Sequence, residues 1–167
     1  MKVREVVRRP KKLIEQGAWK VVTGSGGKMT RSSFPISRGG PVIFGRHWHW
    51  RIDKIACDVS HYRLLTAYDP RTEEYLSWLA VLDGDTTVLV ARYEFHGTHP
   101  GWHCHAPCEE ISLTETIGAL DYRGADRFPG GNNMHRRRAF GITSEQHALF
   151  ASFTFFNVET KPEGAMI

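Results

Sequence analysis

The chain has 167 residues, of which 41% are apolar and 24% charged, with a formal charge of +4. This composition fits one globular domain with its own core and argues against a disordered or fibrous polymer. No apolar run approaches the roughly 20 residues of a membrane helix, and three cysteines, an odd number, give no disulfide framework.

The N-terminus, MKVREVVRRPKK, is basic but lacks the apolar centre of a secretory signal, so a cytoplasmic protein with no membrane partner is expected. Pro10 at a first helical position, Leu13 and Ile14 as an apolar face and Gly17 as a stop predict a short N-terminal helix. The stretch from Thr23 to Pro41 is rich in Gly and Ser and reads as a flexible loop. Its GSGGKMT is not a phosphate-binding loop, because Val22 and Met29 stand where that motif needs Gly and a hydroxyl residue. The expected organisation is a helix and flexible segment over 1–41, a sheet domain over 42–160 and a tail over 161–167.

From Val42 to Phe95 the pattern is that of an antiparallel meander. The first strand, Val42 to Ile55, would place His47 and His49 on one face and Trp48 and Trp50 on the other. A second strand, His61 to Tyr68, closes at Asp69-Pro70. Tyr75 to Leu82 and Thr86 to Phe95 flank Asp83-Gly84, a hairpin signal. A short strand is expected at Glu110 to Leu113, then a glycine-rich loop through Gly118, Gly124 and Pro129 to Asn133. Thr143 and Gln146 have capping-box spacing, and Leu149, Phe153 and Phe156 share a helical face, which predicts a C-terminal helix. The aromatic run FASFTFFNV also permits a strand. The fold class is therefore α+β: a strongly curved antiparallel meander, a closed barrel being its limit, with a short helix at each end.

The segment His96 to Cys108, HGTHPGWHCHAPC, concentrates six potential ligands or proton carriers: His96, His99, His103, Cys104, His105 and Cys108. Four of the nine histidines fall there, and packing alone gives no reason to gather them. On a strand, His103 and His105 project to one face at a separation suited to a single ion, with Cys104 turned away. His47 and His49 have the same spacing, although a histidine beside Trp is more often a packing residue. His61 and His147 are isolated and read as structural or exposed, and Cys57 as a buried thiol. Imidazoles suit zinc, copper, iron or nickel, and cysteine participation would favour zinc.

Two family resemblances bear on this segment. A tyrosine-bearing strand, the Asp83-Gly84 turn, a strand ending Arg92-Tyr93-Glu94, then His96, Pro100 and His103-x-His105 resemble the TumE-like toxin family of bacterial toxin–antitoxin pairs. The likeness covers about forty residues and departs from the family at Phe95, where a small polar residue is expected. It implies an RNA-directed toxin that blocks translation, with a cognate antitoxin as partner. Gly97, His103, His105 and Glu109, with Glu110 also in range, resemble the first motif of the cupin fold, which implies a metal held inside a small β-barrel. The second cupin motif is present in distorted form around Pro129, Gly131 and His135.

Three chemistries follow. The first is cleavage of an RNA phosphodiester, with His103 and His105 as base and acid, since imidazole titrates near neutrality. Arg92, or one of Arg136, Arg137 and Arg138, would bind the phosphate, and His135 is the next proton carrier. Tyr93 and Trp102, with Trp48 and Trp50, could stack bases, at about 1–3 kcal/mol each; Trp78 reads as core. The bland reading of the arginine triplet is a solvated run. The second is a cupin-like metal-dependent enzyme or sensor, where His103, His105 and Glu109 hold zinc or another divalent transition metal and His135 completes the shell. The third is a non-catalytic, zinc-stabilised module for protein or nucleic acid, closed by Cys104, Cys108 and two histidines drawn from the cluster with His99.

Overall fold

A computed structural model describes residues 3–29, 34, 42–95, 102–107, 125–128 and 142–160. In chain order the elements are α1 (Val3–Arg8), β1 (Lys11–Glu15), β2 (Lys20–Val21), β3 (Gly27–Lys28), β4 (Ile43–Phe44), β5 (His49–Cys57), β6 (Ser60–Asp69), β7 (Glu74–Asp83), β8 (Thr86–Phe95), β9 (His103–Pro107), β10 (Ala125–Phe128), α2 (Glu145–Phe155) and β11 (Val158–Glu159). No helix among the described residues is long and apolar enough to cross a membrane.

The main sheet runs β10-β9-β8-β7-β6-β5-β1-β11, with β2 added to β5, and it is curled. β5 to β8 form the expected antiparallel meander with short reversals. The sheet as a whole is mixed, because β11 runs parallel to β1. Cys57 pairs with Ser60 around a two-residue loop that begins with Asp58 at φ 52°, and Asp83 pairs with Thr86 around Gly84 at φ 56°. A positive φ at the first loop residue is what right-twisted hairpins require.

Both faces of the meander are covered, so neighbours such as Leu64 and Leu65, or Trp78 and Leu79, are all buried. This is why the strands read as nearly continuous apolar runs rather than alternating ones. Tyr62, Leu64, Leu79 and Val90 pack beneath Val3 and Val6 of α1 and Phe156 at the end of α2. Trp50, Leu65, Trp78 and Leu89 form a second core on the other face with Val22, Met29, Phe34 and Phe44. Within the stretch expected to be flexible, Thr23 to Gly26 is exposed, but Gly27–Lys28 pairs with Ile43–Phe44, and Met29 and Phe34 are buried.

The N-terminal helix precedes Pro10 instead of starting at it. Its last turn closes through Arg9 N–H to Glu5 O at 2.9 Å, and Lys11–Glu15 pairs with β5 and β11. Tertiary pairing has outweighed the local helix signal of Leu13 and Ile14. Gly17 stops no helix. A Cβ there would lie 2.0 Å from Ile52 O, and its N–H donates to the buried Asp53 at 2.9 Å.

The long strand expected from Val42 is broken by a turn in which His47 adopts φ 75°. At the C-terminal helix, Ser144 is the cap, not Thr143; Ser144 Oγ accepts from His147 N–H at 3.2 Å. The buried stripe is Ala148, Ala151 and Ser152, with Leu149 and Phe153 only half-buried. Small residues let the helix sit close to the sheet, where Ser152 Oγ lies 2.7 Å from both Thr66 Oγ1 and Tyr75 Oη.

The end of α1 and the end of α2 are tied by Lys11. Its side chain is fully buried, and Nζ donates to Val7 O at 3.1 Å, Arg9 O at 2.8 Å and Phe156 O at 2.8 Å. Asn157, at φ 51° after the helix, donates through Nδ2 to Arg8 O at 2.7 Å. A cation and a left-handed Asn thus satisfy carbonyls that a helix C-terminus leaves open. The expected strand at 110–113 and the tail from 161 lie outside the described residues, as does the expected glycine-rich loop except at Ala125–Phe128, which is not loop but β10, held by antiparallel pairing to β9.

Candidate functional site

The chemistry-bearing residues meet on the ladder between β8 and β9. Its register sets Arg92 opposite His105, Tyr93 opposite Cys104 and Glu94 opposite His103. On the far side of β9, Arg127 is the partner of His105. Directly opposed residues on antiparallel strands bring their Cβ atoms to about 4.5–5.5 Å, so this register is a statement about neighbours.

A β-bulge decides which face of the sheet Arg92 and Glu94 take. Across β7 and β8, Ala80 pairs with Leu89 but Leu79 pairs with Ala91, leaving Val90 as an extra residue. Beyond the bulge, Arg92 stands opposite Trp78, on the face of the second core, and its guanidinium lies 5.2 Å from the Trp78 ring centre. Arg92 Nε donates to Glu94 Oε1, two residues on and therefore on the same face. Glu94 is nearly buried, with a side chain only 5% exposed, whereas that of Arg92 is 20% exposed.

Tyr93 and Trp102 belong to the other face. Tyr93 stacks on Phe155 of α2 with ring centres 3.8 Å apart, and on Trp102 at 4.9 Å. Trp102 also lies against Tyr75 and Phe95. A nucleobase seated on the Tyr93 ring would have to displace one of its two stacked partners. Cys104 is buried in the helix-covered core, and that burial pushes its thiol up to about 12, the charge of Glu94 adding to the effect against a hydrogen bond with the Arg92 backbone. The arrangement is that of a packed, protonated thiol.

His47 and His49 do not form a pair on one strand. His47 lies in the turn near Arg46 and Arg71, and its pKa is lowered, first by desolvation and then by those two cations. His49 Nδ1 is 3.3 Å from Glu145 Oε1 and its ring centre 5.0 Å from that of Tyr68, which links β5 to the first turn of α2. Trp48 and Trp50 both stack on Phe44. His61 is exposed, and His147 Nδ1 is 3.3 Å from Thr143 Oγ1. Cys57 is half-buried beside Asp58, with its thiol pKa raised first by burial.

Among the described residues no three His, Cys, Asp or Glu side chains gather as a metal site. His96, His99, Cys108, Glu109, His135 and Arg136 to Arg138 lie outside the described residues. Of the residues singled out in the sequence, Arg92, His103 and His105 are brought onto adjacent strands. Glu94 and Arg127 were missed as site residues. The signal for Glu94 was visible as an opposite charge two positions after Arg92 in an otherwise apolar strand; Arg127 offered none. No family model, curated protein or solved structure matches this chain.

Proposed function

We propose that the protein cleaves RNA phosphodiesters at the β8–β9 ladder, with His103 and His105 as the proton carriers and Arg92 as the phosphate-binding cation. The observation supporting this reading is the register that sets Arg92 opposite His105 and Glu94 opposite His103. One imidazole takes the proton of the attacking oxygen and the other returns a proton to the leaving oxygen. Arginine suits the crowded phosphate because its planar fork matches the oxygens and stays charged throughout. Arg136, Arg137 and Arg138 would extend the contact to flanking phosphates. The role of a toxin-like effector with a protein antitoxin comes from the family resemblance, and Tyr93 and Trp102 are assigned to packing instead of base stacking.

The test is cleavage of single-stranded RNA by the purified chain in excess chelator, beside elemental analysis of the wild type and of the His103→Ala/His105→Ala double variant. Each single histidine variant is expected to lower kcat by about 10²- to 10⁴-fold, the usual contribution of a general acid or base. Variants as active as the wild type would sink the reading. Tightly bound metal that disappears in the double variant, with cleavage abolished by chelator, would replace it with the metal-dependent one.

A further inference from the structure

We infer that Glu94 and Trp78 are positioning residues, which hold the Arg92 guanidinium in place for an RNA phosphate; this rests on the phosphodiester reading above. Three features of the face carry it. Arg92, Glu94 and Trp78 converge although they come from two strands, because the bulge at Val90 turns Arg92 and Glu94 onto the Trp78 side. The residues packed with Trp78 on that face include the apolar, buried Leu65, Ala80 and Leu89. A carboxylate buried to this degree is costly, and an ion pair seldom repays the cost better than an apolar side chain of similar size. Stability alone would favour leucine at position 94.

The contact geometry supplies the rest. Glu94 engages Arg92 through Nε, at the inner edge of the guanidinium, and the guanidinium carbon lies over the Trp78 ring at 5.2 Å from its centre. Together they hold the fork in place, which a flexible arginine would otherwise have to order when it met a phosphate. Trp78 Nε1 is buried with no hydrogen-bond partner among the described residues. A phenylalanine would avoid that loss, but Trp offers the strongest face for a cation. An unsatisfied indole retained under a guanidinium is expected where holding the cation matters more than satisfying the donor.

The experiment uses the full chain, labelled with ¹⁵N, as wild type and as Glu94→Gln, Trp78→Phe and Arg92→Lys. The Arg92 Nε–H resonance is identified by its absence in Arg92→Lys. It should exchange slowly with solvent in the wild type and fast in Glu94→Gln, and should shift when a non-reacting 2′-O-methyl oligouridine is added. With cleavable RNA, Glu94→Gln and Trp78→Phe should each raise KM by about tenfold, the scale of one charge-assisted contact, and lower kcat less. Should Glu94→Gln fail to fold, the milder Trp78→Phe carries the kinetic arm. Equal Nε–H exchange in wild type and Glu94→Gln, or an unchanged KM in Trp78→Phe, overturns the inference. A wild type that cleaves no RNA yet shows a protected, probe-shifted Nε–H would overturn the hydrolase reading and leave the positioning role standing.

Discussion

Replacing Lys11 by methionine removes a side chain that joins α1, β1 and the end of α2, while keeping a stem of similar length. Three carbonyls lose a donor. That of Phe156 is buried, whereas those of Val7 and Arg9 are only partly so. A buried acceptor left unmet costs about 1–3 kcal/mol, and partly hydrated ones less, which gives a gross loss near 4 kcal/mol. Against this, methionine avoids burying a charge, and a pKa lowered from 10.5 to about 8 puts that relief at about 1–3 kcal/mol. The expected net loss is about 1–3 kcal/mol, or roughly 2–12 °C in Tm for a chain of this size. Urea unfolding followed by circular dichroism measures it, and amide exchange in α1 and α2 should quicken together because the lysine couples them. A loss under about 0.5 kcal/mol, the usual range for an exposed substitution, would refute the reasoning.

The same lysine gives a pH dependence. Burial lowers its pKa from 10.5 to about 8, so between those values the unfolded chain holds the proton more tightly; wild-type stability should therefore rise relative to Lys11→Met as pH increases from about 8 to 10.5. Urea titrations at pH 7.5, 9 and 10.5 that stay parallel for the two proteins would contradict this. Gly17→Ala places a Cβ 2.0 Å from Ile52 O, a backbone atom that cannot step aside, and should cost about 3 kcal/mol or more by the same assay. Ser152→Ala breaks the 2.7 Å contacts to Thr66 and Tyr75 and strands two buried hydroxyls, for about 2 kcal/mol; a neutral result would mean that those hydroxyls find each other or water.

The fold was legible where local chemistry and tertiary pairing agree. Gly84 between two apolar runs needs only neighbouring residues to make a hairpin, and the β7–β8 pair forms around it. His103 to His105 lie on a strand, β9, the condition on which a shared face for the two positions depends. It was illegible where distant residues decide. Two lysines after a proline look like a solvated start, yet Lys11 is buried because carbonyls from the ends of two helices converge on it. Gly17 looks like a helix stop until Ile52 O is placed against it. His47 and His49 look like a ligand pair until His47 itself turns left-handed and stays outside the strand that begins at His49, and nothing in HWHW announces that break. The small stripe of Ala148, Ala151 and Ser152 was overshadowed by larger apolar neighbours because size, rather than hydrophobicity alone, decides how closely a helix approaches a sheet.

The most consequential of these hidden features is a single inserted residue. Counted by strict alternation from Leu89, Arg92 would face the helices and Tyr93 the second core. The bulge at Val90 reverses both: Val90 and Ala91 are buried in the helix-covered core, and every position after them changes face. Tyr93 then reaches Phe155, and Arg92 reaches Trp78 and Glu94. A one-residue slip exchanges the two faces of a strand, so an irregularity of this kind is not neutral in a sheet covered on both sides. It would force two charged groups under α2 if removed. The extra residue therefore has one evident consequence for chemistry. It moves Arg92 and Glu94, which lie across from the two histidine positions of β9, out from beneath the helices and onto the Trp78 face, and it turns the aromatic ring between them toward Phe155 as packing.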